Sequence, residues 1–393
     1  MSVALPPPDA DQAAHSARLV EAIRAEIAAA GGSIPFSRYM ELVLYAPGLG
    51  YYSAGARKLG ADGDFVTAPE LGAVFARCTA NAIAPVLAQI GPEARVLELG
   101  GGTGAFAHDA LLRLAERGSL PAEYLLLEPS ADLRERQRER LATLPPDVAA
   151  RVRWLDRPPQ ERWEGVLFAN EVLDALPTTR FEIRDGGTWE EHVALDAAGG
   201  FVRDARPADA LVAAAVANVQ RRLERPLPEG YRSEVLPQLP YWMQAIAGTL
   251  ARGALLFVDY GYARREFYAR ERSDGTLVCH YRHRAHGDAF HLPGLQDLTA
   301  FVDFTAVAEA CTHAGFDYAG YCAQASFLLA NGLEEELAAI ERIDDAAARY
   351  RRTQEVKRLT LPAEMGERFQ AIGFVRDVDL EHAFAVGDLS HRL

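Results

Sequence analysis

Five short runs of consecutive apolar residues punctuate the middle of the chain: RVLEL (95–99), YLLLE (124–128), RVRWL (151–155), VLFAN (166–170) and ALLFVD (254–259). Continuous runs, rather than alternation, predict strands covered on both faces, as in a parallel sheet. Between them the pattern turns helical, over 105–117 and again in ADLRERQRERL, whose mixed charges suit a solvated face. This strand–helix repetition predicts an α/β fold built on a doubly wound, mostly parallel sheet.

The flanks read differently. Leu19, Ile23 and Ile27 fall four apart, predicting an amphipathic helix from His15 to Ala30 that Gly31-Gly32 closes. Residues 1–12, with Pro6-Pro7-Pro8 and two acids, are expected to lack structure. The stretch 34–80 alternates helical pieces such as SRYMELVLY with glycine turns (APGLGYY, LGADGDF). We therefore expect an N-terminal helical lobe over 1–84 and a core over 85–393. The fourth and fifth runs are separated by far more than a usual connection. FEIR and WEEHVAL there read as strands and 206–225 as a helix, giving an insertion at about 178–245. An irregular basic segment follows at about 262–300, read as a loop for the active site or a partner. Helix 301–314, the strand-like runs FDYAGYCA and SFLLA, and a charged helix over 333–358 complete the core.

Composition narrows the function. A net charge of −14 argues against broad binding to nucleic acid or an anionic membrane and suits a basic protein partner. No run of 18 apolar residues proposes a membrane span. The start has no basic region followed by an apolar one and carries Asp9 and Asp11, so a cytosolic location is expected. Cys78, Cys279, Cys311 and Cys322 form no C-x-x-C pair and read as reduced.

The first apolar run opens into RVLELGGGTGAFA, a strand diving into a glycine loop. Glycine serves a turn of unusual backbone angles and lets a ligand lie against the main chain. Gly100, Gly102 and Ala105 fit the dinucleotide pattern G-x-G-x-x-G/A, while Glu98, Gly100, Gly102 and Gly104 fit E-x-G-x-G-x-G. The acid separates them. A pyrophosphate would be repelled by Glu98, whereas S-adenosylmethionine, with its sulfonium and α-ammonium, would be attracted. Glu128 ends the second strand, where an acid accepts both ribose hydroxyls of either cofactor. Asp156 ends the third, a candidate acceptor for the adenine amino group or a plain turn residue before Pro158-Pro159. The fourth run enters FANEVLDALP, placing Asn170, Glu171 and Asp174 at or beyond its carboxyl end, where open sheets bind ligands. The only lysines, Lys58 and Lys357, supply no Tyr/Lys pair for a dehydrogenase.

In YMELVLYAPGLGYYS, GDFVTAPELGAVFARC, VLELGGGTG, ANEVLDALP, LLFVDYG, GTLVCHYRHRAH, LPGLQDLTAFVDFTAVAEA and LTLPAEMGERF, over positions 39 to 369, the chain resembles the MidA-type class I methyltransferases. One departure is Gly102, where many methyltransferases carry Ala, Cys or Ser. The resemblance implies S-adenosylmethionine-dependent methylation of an arginine on a protein partner, with a role in complex I-type assembly. It also places Thr67 and Glu70 near the cofactor; Phe65 and Tyr260 are candidates to face the sulfonium. A protonated guanidinium needs carboxylates to clamp it and take its proton. Glu171 is the first candidate, Asp174 the second (its alternative is to cap a helix), and Asn170 an orienter. CHYRHRAH spaces Cys279, His280, His283 and His286 unlike zinc ligands, so no metal is expected. A small-molecule methyltransferase and a non-catalytic assembly factor with a cofactor pocket are the competing functions.

Overall fold

The computed structural model describes residues 5–54 and 67–393, which separate into two compact units. The larger unit comprises the described residues of 66–173, 239–261 and 302–393. It carries the expected sheet, with strands β1 (Arg95–Leu99), β2 (Glu123–Leu127), β3 (Val152–Leu155), β4 (Trp163–Asn170), β5 (Leu250–Tyr262), β6 (Asp317–Ala323) and β7 (Phe369–Arg376). Their order is 3-2-1-4-5-7-6, with β1 to β5 parallel and β7 antiparallel to both β5 and β6. Val96, Tyr124, Leu126, Val166, Phe168, Leu256 and Val258 are fully or almost fully buried, on a face shared with helices Val74–Ile90 and Ala105–Glu116. Phe106 stacks on Phe168 with ring centroids 4.1 Å apart. Burial of each such large side chain contributes roughly 1.5–3 kcal/mol, and together they hold helix Ala105–Glu116 against the sheet whose strand β1 carries the glycine loop.

Helix Val74–Ile90 straddles the expected lobe boundary at residue 84 and belongs to the core. The smaller unit joins segments that the sequence reading kept apart: the described residues of 1–65, 174–238 and 262–301. Strand Ser33–Pro35 pairs with Gly187–Leu195 of the insertion, which continues through Thr179–Arg184, Arg232–Val235 and Phe201–Pro207 as an antiparallel sheet. The physical reason is that a lone three-residue strand leaves its peptide groups unpaired unless another edge receives it.

Other boundaries moved for local reasons. The first helix runs Ala10–Ala29, so residues 10–12 are helical: Asp9 accepts from Gln12 N at 2.8 Å and the Gln12 side chain returns to Asp9 N at 3.2 Å. SFLLA lies in helix Gln324–Ala330, and the closing strand is FQAIGFVR at 369–376; a short apolar run does not distinguish the two conformations. The stretch 333–358 breaks into Leu333–Glu341 and Ala346–Thr360, the second capped by Asp345. Residues 206–225 hold the end of a strand and helix Ala210–Arg222, capped by Asp209 at 2.8 Å from Val212 N.

The segment read as irregular and basic contains a three-stranded sheet, Val278–Tyr281, Arg284–His286 and Asp297–Thr299. Its hairpin turns on Arg282 and His283, both at positive φ (47° and 60°), the conformation that matches the twist of two paired strands. Strand alternation puts Cys279 opposite His286 on one face and His280 on the other, while His283 sits in the turn. The four residues therefore do not converge, and no cluster of three metal-binding side chains occurs among the described residues. No helix among the described residues is long and apolar enough to cross a membrane. The LGADGDF turn and Phe65 lie outside the described residues.

Candidate functional site

Strand order reverses between β1 and β4, and Leu99 stands beside both Leu127 and Ala169. The carboxyl ends of β1, β2 and β4 thus meet at one edge, the position where open α/β sheets take ligands. The glycine loop leaves β1 there. Gly100, Gly102 and Gly104 have φ of 62°, 52° and 81°, a left-handed path that β-branched residues do not follow without strain. A Cβ on Gly100 would come to 3.0 Å from Val172 Cγ2, so the loop lies directly against the segment that follows β4.

Two buried carboxyls support this loop. Glu98 is 3% exposed and accepts from the Tyr124 hydroxyl at 2.7 Å. Burial pushes its pKa up to about 8, against the opposing pull of that hydrogen bond. Glu128, just past β2, accepts from Ser130 N at 2.9 Å and from Gln137 Nε2 at 3.4 Å. Burial raises its pKa to about 7, again opposed by its hydrogen bonds, the Gly102 N–H among them. Asp156 is different. Its side chain is 91% exposed and paired with Arg134 at 2.6 Å, while Arg134 also donates to the carbonyls of Glu128 and Leu155. In this geometry Asp156 anchors the arginine that ties the ends of β2 and β3 together.

Thr67 precedes the short helix Ala68–Leu71, and Glu70 lies within it. Thr67 stands at its N-cap without a side-chain capping bond. Glu70 accepts from the Thr103 hydroxyl in the glycine loop and lies 3.7 Å from Arg140. The backbone N of Ala68 points to Glu171 Oε1 at 3.4 Å. This segment and the ends of β1 and β4 therefore form one polar rim.

Glu171 is the strained member of that rim. Its φ of 53° is left-handed, which costs a non-glycine residue about 1–2 kcal/mol. The neighbours hold it: its N–H donates to Val258 O at 3.0 Å, and the next two N–H groups, of Val172 and Leu173, donate to Asp259 Oδ2 at 3.2 and 2.9 Å. Asn170 Nδ2 donates to Glu171 Oε1 at 3.1 Å, which leaves Asn170 Oδ1 buried and without a partner among the described residues. An amide acceptor left open beside a carboxylate is suited to a ligand rich in N–H donors. Asp259, 1% exposed, is a supporting residue that the sequence reading missed. Asp259→Ala is expected to destabilise the protein by about 2–3 kcal/mol in denaturant unfolding, because it orphans two buried N–H groups. Asp259→Asn, which keeps one acceptor oxygen, should cost about half as much; equal stability of all three proteins would refute this support.

Asp174 begins the second segment of the smaller unit. It is buried, its carbonyl accepts from Ala300 N at 3.0 Å, and its charge helps burial and Asp297 raise the Tyr52 pKa. No helix occurs within residues 171–178, so Asp174 caps none. The ring of Tyr260 packs edge-on against Phe369 at 5.3 Å. Thr103, Arg134, Gln137 and Asp259 complete the rim's supports, and none was singled out from sequence. The signal for Gln137 was present: with Leu133 and Leu141 it forms an i, i+4 series on the supposedly solvated helix.

Comparison with known proteins agrees with this geometry. The model of a family described as S-adenosyl-L-methionine-dependent methyltransferase matches residues 78–322. The chain is similar to a Burkholderia thailandensis protein whose crystal structure holds S-adenosyl-homocysteine, with 47% identity, 99% of this chain and 100% of that one covered, and a TM-score of 0.91. It is 29% identical to the "Protein arginine methyltransferase NDUFAF7 homolog, mitochondrial" of Drosophila melanogaster, over 95% of this chain and 89% of the relative. The Danio rerio protein named "Protein arginine methyltransferase NDUFAF7, mitochondrial" is also 29% identical, over 87% of this chain and 83% of its own length.

Proposed function

The chain belongs to this family of S-adenosyl-L-methionine-dependent methyltransferases, and on that premise we propose that its methyl acceptor is an arginine of a partner protein. The cofactor is S-adenosyl-L-methionine, and the residues at the sheet edge fit it. A left-handed glycine loop admits close approach; in this reading Glu128 accepts the ribose hydroxyls and Glu98 is the carboxyl that faces the cofactor's cation. When bound, the cofactor supplies an electrophilic methyl group to an acceptor nitrogen.

The chain's own contribution is to orient that nitrogen and manage its proton. The observation that carries the reading is the buried Asn170 Oδ1, which has no partner among the described residues, beside the Glu171 carboxylate. Together they receive several N–H donors at once, as a guanidinium presents them, and Glu171 is placed to accept the proton that leaves. Glu70 and Thr67, on the same rim, border the cofactor side. The names of the fly and zebrafish relatives support the same acceptor class. Mass spectrometry of arginine methylation in cells with and without the gene tests it: at least one protein arginine should lose its methyl mark. Unchanged protein methylation would turn the assignment toward a small-molecule acceptor or a scaffold.

The raised pKa values give a second test. With Glu98 near 8 and Glu128 near 7, both carboxyls are largely or half protonated at neutral pH in the free protein. The cation favours the carboxylate form of Glu98 and donated ribose hydroxyls favour that of Glu128, so binding lowers both pKa values and expels protons. Affinity for S-adenosyl-L-methionine should therefore weaken as the pH falls from about 8 to about 6, approaching tenfold per unit for each carboxyl below its pKa. Calorimetry near pH 7 in buffers of different ionisation enthalpy should register proton release. Affinity constant across that window would remove Glu98 and Glu128 from the cofactor's partners.

A further inference from the structure

Gln137 is 0% exposed, on a helix whose composition is otherwise strongly charged. Its side chain touches three elements of the cofactor rim: Nε2 donates to Gly102 O at 2.8 Å and reaches Glu128 Oε2 at 3.4 Å, and Oε1 accepts from Trp154 Nε1 at 2.8 Å. The indole N–H only donates, so it fixes which end of the amide faces it. The NH2 group is thereby committed to the glycine loop and to Glu128. The packing is equally tight, since a Cβ on Gly104 would come to 3.3 Å from Gln137 Cα.

We propose that Gln137 is a positioning residue for cofactor binding, aiming the Glu128 carboxylate at the ribose hydroxyls while pinning the glycine loop to β3 through Trp154. The inference rests on Glu128 being the ribose acceptor. A buried amide with every hydrogen-bonding group engaged transmits a fixed geometry, because any rotation orphans a polar atom on one of three elements. No other residue type performs this. Glutamate in its place would set a carboxylate against Glu128 and the Gly102 carbonyl, and methionine keeps the length and helix preference without the polar head.

The test is a ligand-and-mutation cycle by calorimetry with S-adenosylhomocysteine and its 2′,3′-dideoxy analogue. Gln137→Met should weaken S-adenosylhomocysteine binding about tenfold and Gln137→Glu more, with Gln137→Met retaining a cooperative thermal transition. The dideoxy analogue, which has no ribose hydroxyls to lose, should bind the parent weakly and lose clearly less affinity on Gln137→Met than S-adenosylhomocysteine does. Equal losses for both ligands would overturn the proposal, showing a role in loop shape alone, as would unchanged binding. If the parent binds both ligands equally tightly, Glu128 is not the ribose acceptor and the proposal falls with that reading. The Asn170–Glu171 acceptor assignment is untouched by that result, so the two failures are distinguishable.

Discussion

Gly102→Val is expected to raise the dissociation constant for S-adenosyl-L-methionine at least about a hundredfold while leaving the fold intact. Gly102 sits at φ 52°, a conformation β-branched side chains resist by about 2–3 kcal/mol. The strain would be relieved by turning the peptide, and that peptide is heavily used: its carbonyl accepts from Gln137 and its N–H donates to Glu128. The loop would then lose both its shape and its hold on the ribose acceptor. The hydrophobic face beneath, from Val96 to Phe168, is untouched, so the unfolding transition should remain cooperative. Calorimetry and circular dichroism on the same preparation measure both quantities. Near-parental affinity would mean that the loop does not lie against the cofactor.

The second large effect is expected at Glu171. Glu171→Gln should lower methyl transfer to an identified acceptor by about 10²–10⁴-fold while cofactor affinity stays within about threefold. Glutamine preserves the size and a carbonyl acceptor for Ala68 N and Asn170, but it neither neutralises a guanidinium nor takes its proton. Glu171→Gly should be as inactive yet more stable than the glutamine variant by about 1 kcal/mol, because glycine adopts the left-handed conformation freely. That combination, lost turnover with relieved strain, is the mark of a backbone held in place for chemistry. Full activity of Glu171→Gln on that acceptor would remove Glu171 from the mechanism.

Both predictions begin from residues legible in the sequence. RVLELGGGTG and ANEVLDALP declared a strand, a loop and a polar edge through local pattern alone, since buried parallel strands are continuous apolar runs and tight turns need glycine. Asp156 and Asp174 were equally visible, but their surroundings were not. One projects into solvent on Arg134, and the other is itself buried in the smaller unit, where its charge bears on Tyr52. Gln137 and Asp259 were passed over because their value lies wholly in partners distant along the chain, Gly102 and Trp154 for one, Val172 and Leu173 for the other.

By itself the sequence determined the class of sheet, the glycine loop and the acids at the strand ends. These depend on local periodicity and on which residues tolerate unusual backbone angles. Only the tertiary structure decided that strand Ser33–Pro35 completes the insertion's sheet, that Glu98 is buried against Tyr124, and that Asp259 holds Glu171 in a left-handed turn. The reason is physical. Burial, hydrogen-bond satisfaction and backbone strain are properties of contacts between segments far apart in the chain, and residue order alone does not state them.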